Sequence, residues 1–158
     1  MKEGKEEFWN ELKSGKFASM VKESSYGECV ANAQEVYNII KPLYAEADDV
    51  EVIYCLFLNG KNKILSIEKM FSGSISSAAI YPREIIKKAL HLKANAMIMI
   101  HNHPSGDTTP SSDDKNVTRK VMLALSSIDI KLHDHIIIGD SYYSMEEDGL
   151  IEAMKINY

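Results

Sequence analysis

The sequence predicts an α/β domain, on three observations. Apolar residues recur at three- and four-residue steps in some stretches, short β-branched and aromatic runs lie between them, and the two kinds interleave along the chain. With 158 residues, 45% hydrophobic and 26% charged, the chain can bury one core but not two independent ones. The first stretch, Glu6 to about Ala45, carries Phe8, Leu12, Val30, Ala33, Val36, Tyr37, Ile40 and Leu43 at helical spacing, and Ser24, Ser25 and Gly27 break it in two. EVIYCLFL and KILSIEKMF, joined by Asn59-Gly60-Lys61-Asn62, predict a β-hairpin. Pro82 opens a helix that continues from Arg83 to Leu90 and ends near Lys93. The run Ala96 to Ile100 is short enough for a buried strand and leads straight into His101 and His103, which are placed just beyond its end. A loop rich in Pro, Gly, Ser and Thr follows. Ser111 then caps a helix with Val117, Val121, Leu125 and Ile128 on its inner face. Ile130 to Ile138 and Tyr142 to Ser144 complete the strands. Residues 1–47 are expected to form a helical segment packed on or preceding a domain of residues 48–158.

Bulk properties exclude several partners. Net charge is −5, with no basic block or basic helix face, so duplex DNA is not an expected partner. The longest apolar runs fall far short of the ~20 residues of a membrane span, and MKEGKEEFW has no signal-peptide core, so a soluble cytoplasmic protein is expected. Cys29 and Cys55 show no CxxC spacing, and both are expected to be buried thiols. Met97, Met99 and Met122 read as core.

The chemistry concentrates in HNHPSGDTTPSSDD. Residues i and i+2 of an extended segment leave from one side, so His101 and His103 can converge on one ion. A catalytic zinc usually takes three protein ligands and leaves a fourth position for water; Asp114, in the first turn of the following helix, can be the third. Ser111-x-x-Asp114 is equally an ordinary helix-capping arrangement that needs no metal. In LHDHIIIGD, strand alternation puts His133 and His135 on one side and Asp134 on the other, so the three do not form a second metal site. One of them is available to orient a zinc ligand through a hydrogen bond.

The string His101-x-His103, seven residues, Ser111, two residues, Asp114 resembles the JAMM motif of JAB/MPN metalloproteases. With YPREIIKKAL and LHDHIIIGD, the stretch from about Asp48 to Ile151 is most similar to the RadC branch of that superfamily. The resemblance implies a three-layer mixed sheet with flanking helices, the cytidine-deaminase-like JAB/MPN fold. It implies Zn2+ held by His101, His103 and Asp114, with Ser111 stabilising an oxyanion. It also implies a glutamate on an earlier strand that moves the proton of the attacking water. Glu51, ahead of the hairpin, matches that glutamate, and Glu68 in SIEKMFSG is its rival. The implied function is a zinc metallopeptidase or isopeptidase acting on a peptide or protein. Two other classes remain open: a zinc hydrolase of nucleobases or nucleic acid, although the deaminase pattern H-x-E with P-C-x-x-C is missing, and a metal-binding scaffold without turnover. The stretch before Asp48 is acidic on balance and lacks the glycine-centred DNA-binding hairpin found upstream in RadC proteins. Its helices are instead candidates for docking, for a lid, or for an oligomer contact.

Overall fold

The computed structural model describes residues 4–7, 15–45, 49–76 and 79–155, so Phe8 and Leu12 of the expected first helix lie outside the described residues. Helix α1 (Lys16–Ser25) precedes α2 (Ala33–Ile40) and a 3-10 turn at Lys41–Tyr44. Then come β1 (Val52–Leu58), β2 (Ile64–Ser72), α3 (Pro82–His91), β3 (Ala96–Asn102), α4 (Ser112–Ser126), β4 (Lys131–Ile138), β5 (Tyr142–Ser144) and α5 (Leu150–Lys155).

Local chemistry sets these boundaries. Gly27, at φ 82, turns the chain after α1, and Asn32 caps α2 by accepting the Glu35 N–H. In the hairpin, Asn59 Oδ1 accepts the N–H groups of Lys61 and Lys63 while Asn62 adopts φ 57. At the start of α4, Ser111 Oγ accepts the Asp114 N–H at 3.0 Å and Asp114 Oδ2 accepts the Ser111 N–H at 2.7 Å, a reciprocal capping box.

The five strands form one sheet in the order β2-β1-β3-β4-β5. The β3–β4 pair is parallel and the other pairs are antiparallel, so the sheet is mixed. Central strands β1 and β3 are buried at every position, as their nearly continuous apolar sequences require, whereas the edge strand β2 is only partly buried. Alternation sends Ile53, Cys55, Phe57, Met97 and Met99 to one face, where α3, α4 and α5 cover them. Tyr54, Leu56, Ile98 and Ile100 face the other way, beneath Val36 and Ile40 of α2 and partly buried Ala18 and Val21 of α1. Helix, sheet and helix thus make three layers, the architecture the RadC resemblance implies. Among the described residues no helix is long and apolar enough to cross a membrane.

Three expectations need correction. Strand β3 continues through His101 to Asn102, so His101 lies inside the strand and not past its end; both polar residues are buried because each finds partners there. A register irregularity against β3 lies between Met97–Leu132 and Ile98–Asp134, and it breaks the side-to-side alternation of β4. His133 therefore does not share a side with His135: it lines a cleft of about 250 Å³ on the α2 face and contacts Asn62, while His135 points into the opposite core layer. Cys29 is exposed, because its bridge to Lys63 lies at the rim of the sheet; only Cys55 is buried.

The loop that carries the second histidine is wedged against the end of β4. A Cβ on Gly139 would sit 2.3 Å from the Gly106 carbonyl oxygen, which also accepts the Asp140 N–H at 3.0 Å. Backbone cannot yield as a flexible side chain would. Gly139→Ala is expected to cost about 3 kcal/mol of stability by urea denaturation, and a loss under 0.5 kcal/mol would show that this approach is slack.

Candidate metal centre

The antiparallel register of β1 and β3 places Ile53 opposite His101, which brings Glu51, just before β1, to the same end of the sheet as the histidines. One ligand atom from each of Glu51, His101 and His103 lies within 4.8 Å of the others, a group that could hold a metal ion. The His101 and His103 rings leave the same side of extended backbone, with centroids 4.8 Å apart. From the first turn of α4, Asp114 reaches across both: Oδ1 lies 3.1 Å from His101 Nε2 and Oδ2 lies 3.0 Å from His103 Nε2. Ligand atoms about 2.1 Å from a tetrahedral ion stand about 3.4 Å apart. These separations are already close to that value.

The donor set fits a cation. His103 Nδ1 lies 2.7 Å from the Asp107 carbonyl, which can only accept, so a ring proton sits on Nδ1 and Nε2, 3.0 Å from Asp114 Oδ2, is the atom left to meet an ion. His101 Nε2 is buried and, among the described residues, has no hydrogen-bond partner; its approach to Asp114 lacks hydrogen-bond geometry. Burial pushes the Asp114 carboxyl up, but the His101 ring and Ser111 outweigh it and hold the group well below the usual carboxylate range. An anion thus faces two ring nitrogens at a site whose inner side, His101 and Asp114, is buried. Only a proton or a metal ion can draw such groups together.

Neighbouring residues fix these side chains. Asn102, between the two histidines, points to the opposite face and is buried. Its Oδ1 accepts the Val52 N–H at 2.7 Å and its Nδ2 donates to the Val50 carbonyl at 3.0 Å, so one amide clamps both backbone neighbours of Glu51. The Glu51 carboxylate accepts the Ile75 N–H at 3.1 Å. Glu68 is not brought to the histidines: it accepts from the Ser66 hydroxyl and lies 3.9 Å from Lys88. Ser111 stands exposed at the mouth of the site, and its oxygen accepts the Asp114 N–H, so its hydroxyl proton is free to donate. His135 is the residue of LHDHIIIGD that meets a predicted ligand, with Nε2 at 2.7 Å from His101 Nδ1. Burial and the His101 ring hold its pKa well below the ordinary histidine value.

Asn102 and Thr118, which contacts His135, were not singled out from sequence. A polar residue between two converging histidines must face the buried side of its strand, and that was the available signal for Asn102. Asn102→Ala would leave a buried backbone N–H unpaired. A loss of about 2 to 3 kcal/mol in urea denaturation is expected, and a change below 0.5 kcal/mol would dismiss the clamp.

Asp134 faces away from the metal centre. Burial pushes its carboxyl up to about 6, against hydrogen bonds from Ser144, Glu146 and His135. Between the ordinary carboxylate value of 3.8 and about 6, the folded state keeps a proton that the unfolded chain releases. This contribution is therefore full below pH 3.8 and is lost as pH rises through 6. Asp134→Asn, whose amide oxygen can still accept both N–H bonds, should gain about 1 to 2 kcal/mol over the wild type at pH 7 and nothing at pH 4. Denaturation at the two pH values tests this, and an equal effect at both would refute it.

The family model described as RadC-like JAB domain matches residues 30–150. The chain belongs to that family. UPF0758 protein YfjY of Escherichia coli (strain K12) is 47% identical over 102 residues, 64% of this chain and 64% of that protein. A UPF0758 protein of Coxiella burnetii is 44% identical over 126 residues, 78% of this chain and 54% of that protein. UPF0758 protein Tgr7_0100 of Thioalkalivibrio sulfidiphilus is 43% identical over 101 residues, 64% of this chain and 45% of that protein. The chain thus matches between 45% and 64% of the length of these curated relatives. The RadC-like match begins at residue 30, just before α2, so α2 falls inside the family's span.

Proposed function

We propose that this RadC-like domain is a zinc-dependent hydrolase of the JAMM type, a metallopeptidase or isopeptidase that cleaves an amide bond in a peptide or protein. The observation that carries the reading is the approach of the Glu51 carboxylate to two histidine nitrogens that Asp114 also faces. His101, His103 and Asp114 would hold the ion, whose Lewis acidity, when bound, lowers the pKa of water to about 7 and polarises a carbonyl. Glu51, fixed through the Ile75 N–H and the Asn102 clamp, takes a proton from the attacking water and delivers it to the leaving amine. The Ser111 hydroxyl, whose oxygen is tied to the Asp114 N–H, points its proton at the developing oxyanion. Buried His101 and Asp114 keep bulk water out of the inner side of the site, which strengthens each of these interactions.

The test is metal content of the purified chain by mass spectrometry, together with a screen of peptide and isopeptide substrates. About one zinc per chain is expected, with loss of both zinc and turnover in His103→Ala. A wild type that takes up no zinc when it is supplied would defeat the reading. Zinc uptake without turnover on any amide substrate would favour a binding module.

A further inference from the structure

We infer that Thr118 and His135 form a directional hydrogen-bond relay that sets the tautomer of His101 and so holds its Nε2 lone pair toward the metal position. The inference rests on the metal-site reading above but concerns residues that reading does not use. Direction follows from the far end of the chain of contacts. The Thr118 hydroxyl lies 2.6 Å from the Asp114 backbone carbonyl, four residues earlier in α4, and a carbonyl can only accept. Thr118 therefore gives its single proton there; the Met145 sulfur at 3.5 Å is a weaker acceptor.

Toward His135 Nδ1, 2.6 Å away, the threonine oxygen can then only accept, so His135 carries its proton on Nδ1. His135 is buried, and among the described residues its ring hydrogen-bonds to His101 and Thr118 and to no carboxylate, so burial favours the neutral ring. Its Nε2 is accordingly a lone pair, and at 2.7 Å it must accept from His101 Nδ1–H. When the His101 ring carries a single proton, this is the one, and Nε2 is left bare: the buried nitrogen that has no hydrogen-bond partner among the described residues and faces Asp114. A reversed relay would put the His101 proton on Nε2 and block coordination.

The layout also ties the two ligand-bearing elements together. His101 is on β3, His135 on β4, and Thr118 sits one helical turn beyond Asp114 on α4. Thr118 and His135 are thus positioning residues that act through His101, and partners of this kind typically change metal affinity about 10- to 100-fold.

The experiment is long-range 1H–15N correlation of the histidine rings in the metal-free chain at pH 8, with zinc affinity by chelator competition, for wild type, Thr118→Val, Thr118→Ser and His135→Leu. The wild type should show His101 protonated on Nδ1. Thr118→Val should weaken zinc about 10-fold or more and disturb the His101 ring signals, and Thr118→Ser should restore both. His135→Leu should weaken zinc further; should it fail to fold, the threonine pair decides. A wild-type His101 protonated on Nε2, or a Thr118→Val chain with unchanged affinity and ring signals, overturns the relay. A wild type that binds no zinc yet shows the Nδ1–H form, lost in Thr118→Val, supports the relay while defeating the hydrolase reading.

Discussion

Glu51→Gln is expected to lower hydrolysis by a factor of about 10² to 10⁴ while the chain keeps its metal and its fold. The substitution preserves shape and leaves an amide oxygen to accept the Ile75 N–H, so the local backbone has no reason to move. What it removes is the carboxylate that would accept the proton of the attacking water. Glu68→Gln is the matched control, because Glu68 is engaged with Ser66 and Lys88 on the edge strand and should leave turnover unchanged. Rate and zinc content must be measured on the same preparations. Full activity in Glu51→Gln would remove Glu51 from the chemistry. Loss of zinc together with activity would instead make it a ligand, which its place beside both histidine nitrogens permits.

The parts of the fold legible in the sequence are those where one force dominates. The β1–β2 hairpin shows because Asn59 and Asn62 have little use other than a tight turn, and α4 shows because Ser111 and Asp114 stand at capping-box spacing before an apolar stripe. Helix α5 does not show: six residues hold too few apolar positions to establish a period, and its burial of Ile151 and Met154 depends on the sheet face already being there. The end of β3 was misplaced for a related reason. His101 and Asn102 are polar, so the apolar run stops at Ile100, yet both are buried because His135 and the backbone around Glu51 supply their hydrogen bonds.

Part of the site is equally local. His101 and His103 share a side because extended backbone demands it, and Asp114 is only one capping box away. The relay partners are not local. His135 could be matched to His101 only through the pairing of β3 with β4, and the irregularity opposite Met97 and Ile98 reverses the side on which His133 falls. No property of the sequence LHDH marks that irregularity. Glu51 stands between these cases, since its approach to the histidines requires the antiparallel register of two strands and was reachable from sequence only through the resemblance to RadC proteins.

Asp114→Asn is expected to weaken zinc binding by more than about 100-fold, the upper end of what losing a mere supporting partner costs. Asp114 performs two tasks with one carboxylate: Oδ2 closes the capping box of α4, and both oxygens face the histidine nitrogens. Asn keeps an oxygen for the Ser111 N–H and removes the anion, whereas Asp114→Ala removes both and should lose about a further 1 kcal/mol in the metal-free chain. Because the carboxyl is held below its ordinary value of 3.8, its contribution to metal-free stability is present above that pH and is lost as the medium becomes more acid. The difference between wild type and Asp114→Asn should therefore close as pH falls toward 3 and below. Added zinc should raise the melting temperature of the wild type, since binding to the folded state alone stabilises it, and should leave both variants where they were. Unchanged zinc affinity in Asp114→Asn would remove Asp114 from the ligands and leave Glu51, His101 and His103 as the ligand set.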